Sequence, residues 1–144
     1  MPKERRWWID EGITEPAEFF SALPEALPAA THFEVEGDRI SAEAKALYAA
    51  HEDGSRMRSS RQALSWSRRF RCVLSPKLFG ELGRIATKGE PAKLFDHITI
   101  YDGDQKLLDW HDAFANSLLI AAEVPEENVR ALASRFGVAY KLSS

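Results

Sequence analysis

The 144-residue chain lacks most of the patterns that mark a metalloenzyme or a disulfide-stapled protein. Its single cysteine, Cys72, cannot form an intramolecular disulfide and is expected to be a small core residue. The chain contains no HExxH or CxxC pair and no glycine-rich phosphate loop with its lysine. Its four histidines fall in separate predicted elements, and nothing in the sequence indicates that they converge. We therefore predict neither a metal ion nor a cofactor.

Long apolar runs and an excess of positive charge are also missing. No apolar run approaches the roughly 20 residues of a membrane span, and the first residues lack the apolar region of a secretion signal. The net charge of −3 argues against a general nucleic-acid binder, because affinity for a polyanion depends on Lys and Arg that neutralise phosphates. These features predict a cytoplasmic protein without membrane contact.

The composition that remains is that of a globular domain. Hydrophobic residues make up 44% of the chain and charged residues 28%, and a chain of this length can bury a self-sufficient core. We expect residues 1–144 to form one α+β domain. It should have about four helices packed mainly on one face of a mixed or antiparallel sheet of about five or six strands. Strand order and oligomeric state stay open.

Local signals place these elements along the chain. Helices are expected after Thr14, Ser41, Ser75 and Pro125, because Ser, Thr and Pro favour the first positions of a helix. Trp7 and Trp8 are expected in a short strand or arm at the edge of the core. The predicted strands lie at 32–36, 64–74, 98–101, 107–110, 117–121 and 138–142, with a hairpin turn at Asp102 and Gly103. The predicted core includes Trp66, Phe70, Leu82, Ile100, Leu119, Leu132 and Phe136.

The clearest strand signal is the alternation in residues 64–74. Leu64, Trp66, Phe70, Cys72 and Leu74 share one face, and Ser65, Ser67, Arg69, Arg71 and Val73 share the other. This pattern predicts a half-buried strand with an open, basic face. Arg68 has the inward parity, so either a bulge redirects it, or it lies beyond the core edge, or a carboxylate pairs with it.

The arginine-rich stretch is the main candidate for binding. Between Arg56 and Arg71 the chain has six arginines and no acidic residue, so the rest of the chain is more acidic than the net charge of −3 suggests. Three interpretations compete. The arginines are solvated or paired with the protein's own carboxylates, they dock an acidic partner protein, or they bind nucleic acid with Trp66, Trp7 or Trp8 as stacking platforms. The candidate binding residues are Arg56, Arg58, Arg61, Arg69 and Arg71.

Asp109 and His111 are the candidate catalytic pair. In a strand the two side chains project from the same face about 7 Å apart, a spacing that could orient an imidazole or supply two metal ligands. A metal site generally needs further ligands, which the sequence does not supply. The alternative is that both belong to a polar outer face, with Leu108 and Trp110 packing inward.

These patterns together favour a non-enzymatic protein-binding domain, of an immunity or adaptor type, that docks an acidic protein partner through its arginines. A small hydrolase or transferase that uses Asp109 and His111 is one alternative. A nucleic-acid-binding module that uses the arginine stretch and the tryptophans is the other.

Overall fold

The computed structural model describes residues 5–53, 68–87 and 93–143. Within these ranges the chain forms four helices and a seven-stranded sheet whose neighbouring strands are all antiparallel. The strands are β1 (Arg6–Ile9), β2 (His32–Gly37), β3 (Arg68–Val73), β4 (His97–Asp102), β5 (Gln105–Trp110), β6 (Leu118–Ala121) and β7 (Tyr140–Ser143). The helices are α1 (Pro16–Ala26), α2 (Ala42–Ala50), α3 (Pro76–Ala86) and α4 (Glu126–Arg135). The strand order is β3-β2-β4-β5-β6-β1-β7.

The local signals in the sequence explain where most elements begin and turn. The hydroxyl oxygens of Ser41 and Ser75 accept hydrogen bonds from Ala44 N and Leu78 N, both at 3.2 Å, and so cap α2 and α3 as predicted. The turn between β4 and β5 contains Gly103 at φ +59°, a conformation that glycine adopts without strain. These short-range features set the starts of α2 and α3 and the turn between β4 and β5.

The core lies between the helices and one face of the sheet. Alternate residues of the central strands point into it, and Trp110 of β5 packs against Phe19 of α1 with ring centroids 4.8 Å apart. Leu82, Ile100 and Leu132 are buried as predicted. None of the described helices combines the length and the apolar character that crossing a membrane requires.

The α+β class and the four helices are confirmed, and the strand number is seven instead of five or six because the segment around Trp7 is a full strand. Phe70 and Phe136 are partly buried and pack against the core, Leu119 is partly buried but does not belong to it, and Trp66 lies outside the described residues. Leu119 faces away from the helices, and Phe136 caps the end of α4.

Pro24 lies inside α1. The burial of Phe20 and Leu23 holds the last turn in place, and the helix continues to Ala26.

Candidate functional site

The face of the sheet opposite the helices, which we call the open face, carries two rows of polar side chains. Strand register places Arg71, Glu34, Thr99 and Asp109 side by side across β3, β2, β4 and β5. A second row lies two residues further along each strand and contains Arg69, Glu36 and His97. The candidate residues of the sequence that the structure describes therefore lie on this one face.

Arg71 is the centre of the first row. Its Nη1 donates to Glu34 Oε2 at 2.9 Å, and both side chains are only 3% exposed. Its Nε also donates to Asp53 Oδ2 at 3.4 Å, and its guanidinium lies 5.2 Å from the centre of the Tyr101 ring. The prediction of an open, basic face was wrong at Arg71, because the opposing carboxylate of β2 neutralises it and buries it.

Arg69 follows the same arrangement less completely. Its Nε lies 4.0 Å from Glu36 Oε2, and its side chain is 20% exposed. The alternation of the strand is confirmed at Cys72, which is buried on the helix side. Pairing with the protein's own carboxylates, one of the three interpretations of the arginines, thus applies to Arg69 and Arg71.

Asp53 and Arg71 connect the chain on the two sides of positions 54–67. Besides the side-chain contact, Asp53 N donates to Arg71 O at 2.7 Å, and Val73 N donates to His51 O at 3.0 Å. Residues 51–53 therefore run along β3. The candidates Arg56, Arg58 and Arg61 fall in the stretch between these paired residues, outside the described residues, and so does the side chain of Arg68.

Asp109 and His111 lie on the open face, but the structure joins each to a different partner. Asp109 accepts a hydrogen bond from Thr99 Oγ1 at 3.4 Å and pairs with Lys106 Nζ at 3.6 Å. It also lines a shallow pocket of about 140 Å³, whose lining includes Arg6 and Leu119 but not His111. Trp110 between them is buried, as predicted.

His111 stacks on His97 at the end of the second row. The two imidazole rings are parallel within 2°, and their centroids are 4.0 Å apart. The Asp112 carboxylate lies beside both, at 3.8 Å from His97 Nδ1 and 3.9 Å from His111 Nε2. These three residues, the histidine cluster, can offer three ligand atoms within 4.8 Å of one another.

A β-bulge makes this juxtaposition. The two-residue turn pairs Tyr101 with Lys106, but the register shifts by one between Ile100 and Tyr101, so that Ile98 pairs with Trp110. Without the shift His97 would face Trp110, which belongs to the core. Sequence reasoning missed His97 for this reason.

Two further carboxyl groups lie at the same end of the sheet. Asp96 Oδ2 accepts a hydrogen bond from Asp38 N at 3.3 Å. Burial, together with the neighbouring Asp38 carboxyl, raises the pKa of Asp96, and His97 acts in the opposite direction. Carboxyl groups other than that of Asp112 therefore lie near the histidine cluster.

The N-terminal tryptophans have structural contacts. Trp7 is largely buried, and its Nε1 donates to Val124 O at 3.0 Å. This arrangement agrees with the expectation for Trp7 and leaves its face unsuited to stacking on a base, whereas Trp8 is only partly buried and pairs with Leu119 on the open face.

Comparison with known proteins finds no family model, no curated protein and no solved structure that matches this chain.

Proposed function

We propose that the protein is a binding domain, of an immunity or adaptor type, that docks onto an acidic surface of a partner protein. The observation that carries the proposal is the double connection between Asp53 and Arg71, through the backbone bond of 2.7 Å and the side-chain bond of 3.4 Å. It holds the two ends of a basic stretch of chain against the edge of the sheet.

Two of the five arginines predicted to bind a partner are paired within the protein. Arg71 and Arg69 face Glu34 and Glu36, so most of their charge is compensated within the sheet. Residues 54–67 contain Arg56, Arg58 and Arg61 and no acidic residue. We assign partner contact to these three arginines, because Arg is enriched at the energetic centres of protein interfaces. Arg71 acts as a positioning residue that anchors the stretch.

The buried anchor supports the proposal in a second way. Asp53 and Arg71, on either side of positions 54–67, are already fixed to each other and need no further ordering on docking, which favours affinity. The Arg71 contacts with Glu34 and Asp53 hold them in place.

The experiment compares two triple variants with the same charge change. In the first, Arg56, Arg58 and Arg61 are each changed to Glu. In the control, Arg5, Arg39 and Lys141 are changed to Glu, because these exposed residues lie elsewhere in the chain. Proteins captured from lysate of the native host with and without nuclease are identified, and the purified partner is then titrated by calorimetry.

We expect a nuclease-resistant protein that binds the wild type and the control with one stoichiometry and binds the first variant at least about tenfold more weakly. Equal affinity for both variants would remove the arginines from the interface. Capture that disappears with nuclease, with affinity that falls steeply as salt is added, would replace the proposal with nucleic-acid binding.

A further inference from the structure

The histidine cluster of His97, His111 and Asp112 has the composition of a transition-metal site. Imidazole nitrogens suit zinc, copper and nickel, and a carboxylate is a common third protein ligand, with water in the remaining position. Mg²⁺ and Ca²⁺ prefer oxygen ligands alone, so two histidines out of three point away from them. The three ligand atoms already lie within 4.8 Å of one another.

The hydrogen bond that His97 accepts from Asp112 fixes the tautomer of its ring. Asp112 N donates to His97 Nδ1 at 2.9 Å, so Nδ1 carries a lone pair and the proton of the neutral ring is on Nε2. A metal ion needs such a lone pair, and it would replace the Asp112 N–H as the group that Nδ1 faces. His97 thus holds the correct tautomer for coordination through Nδ1.

Charge and position around the cluster also favour a cation. The Asp112 carboxylate lies within 4 Å of both imidazoles, and the carboxyl groups of Asp96 and Asp38 lie at the same end of the sheet. His97 is largely buried at the end of β4 and provides a fixed point, whereas the side chain of His111 is 56% exposed. The His97 ligand is therefore fixed in position, and the exposed His111 side chain has room to rotate.

We propose that His97 Nδ1, His111 and the Asp112 carboxylate bind one Zn²⁺ ion, with water completing the coordination. Two parallel rings 4.0 Å apart cannot both aim in-plane lone pairs at one ion. Binding therefore turns the His111 ring out of the stack and releases Nδ1 from Asp112 N. Asp112 has a left-handed backbone at φ +52°, a conformation that Asp and Asn tolerate better than most residues.

The test titrates Zn²⁺ alone into the purified, chelator-treated full chain, in competition with a chromophoric chelator. His111→Ala removes an exposed ligand, and Asp112→Asn removes a carboxylate while keeping a residue that tolerates the left-handed backbone. The matched controls are His51→Asn and Asp104→Asn, which change the same residue types elsewhere. We expect one equivalent of Zn²⁺ to bind the wild type and both controls, and about tenfold or greater weakening in both cluster variants.

A second measurement identifies the ligand nitrogen. On addition of Zn²⁺, the ¹⁵N resonance of His97 Nδ1 should shift while Nε2 keeps its proton, and the resonances of His32 and His51 should not move. Zn²⁺ binding that is absent, or that is the same in His111→Ala and the wild type, would overturn the proposal. A shift at Nε2 of His97 in place of Nδ1 would overturn the assigned geometry.

Discussion

Arg71 and Glu34 form an ion pair at 2.9 Å between β3 and β2, and both side chains are almost completely buried on the face of the sheet that no described helix covers. A charge pair in this position has lost most of its hydration, so each charge depends on its partners within the protein. The pair also joins the outermost strand on this side to its neighbour.

Changing Glu34 alone to Met should cost about 3–5 kcal/mol, because it leaves the Arg71 charge buried without its main counter-charge. The double variant Glu34→Met with Arg71→Met should lose less than the two single variants together, since it removes both charges. Urea denaturation of the four proteins measures the coupling. Additive losses would show that the two residues do not stabilise each other.

Cys72 should be unreactive toward a thiol reagent at pH 8 in the folded protein and should react fully in denaturant. Burial, reinforced by Glu52, raises the pKa of its thiol to about 12, so almost no thiolate is present. Because the folded pKa is raised, its contribution to stability is complete below the unfolded value near 9 and is lost as the pH rises toward 12. Rapid labelling of the native protein would contradict this picture.

Tyr140→Phe should raise the pKa of Glu126. The Tyr140 hydroxyl donates to Glu126 Oε2 at 2.9 Å, and this bond, followed by Arg130 at 3.1 Å, lowers the pKa of the carboxyl group. The stabilising contribution of Glu126 is present above its unfolded value of about 4.5 and is lost as the pH falls through the lower folded value. NMR titration of the Glu126 side chain in both proteins gives the shift directly, and an unchanged titration midpoint would exclude this role for the hydroxyl.

Gly80→Ala and Gly12→Ala should change stability in opposite directions. Gly80 lies within α3, where an added Cβ meets no atom within 4 Å, so alanine should stabilise the protein by about 0.5–1 kcal/mol. Gly12 has φ +137°, and its added Cβ would lie 2.8 Å from Val138 Cγ1, so alanine should destabilise it by about 1–3 kcal/mol. Thermal melts distinguish the two, and stabilisation by Gly12→Ala would contradict the described backbone.

The features of the fold that depend only on residues close together in the sequence could be predicted from it. Cap residues such as Ser41 and Ser75 and the alternation around Cys72 each act over a few positions, so their signals are complete within the chain segment, and the predicted hairpin turn lies one residue later, at Gly103 and Asp104. Arg71 was misjudged because its burial depends on Glu34, a residue on another strand. Periodicity assigns a side chain to a face of the sheet but not to a partner across it.

The histidine cluster shows the same limit more sharply. The hairpin that contains His97 and His111 was predicted, and its two-residue turn would set His97 against Trp110. A bulge on β5, in which Leu107 is the extra residue opposite Ile100 and Tyr101, shifts the pairing and brings the imidazoles together. No residue of this hairpin signals the bulge in the sequence, since the extra residue, Leu107, is not a glycine.

The position of β1 has a consequence for how the chain folds. This first strand lies between β6 and β7, the last two strands of the described chain, so neither of its neighbours exists when its own residues leave the ribosome. Its pairing closes the longest loops in the molecule, a step that carries a high entropic cost and slows folding. Trp7 and Ile9 can therefore pair with their neighbours only after β6 and β7 have been synthesised, and until then their apolar side chains are a target for a nascent-chain chaperone.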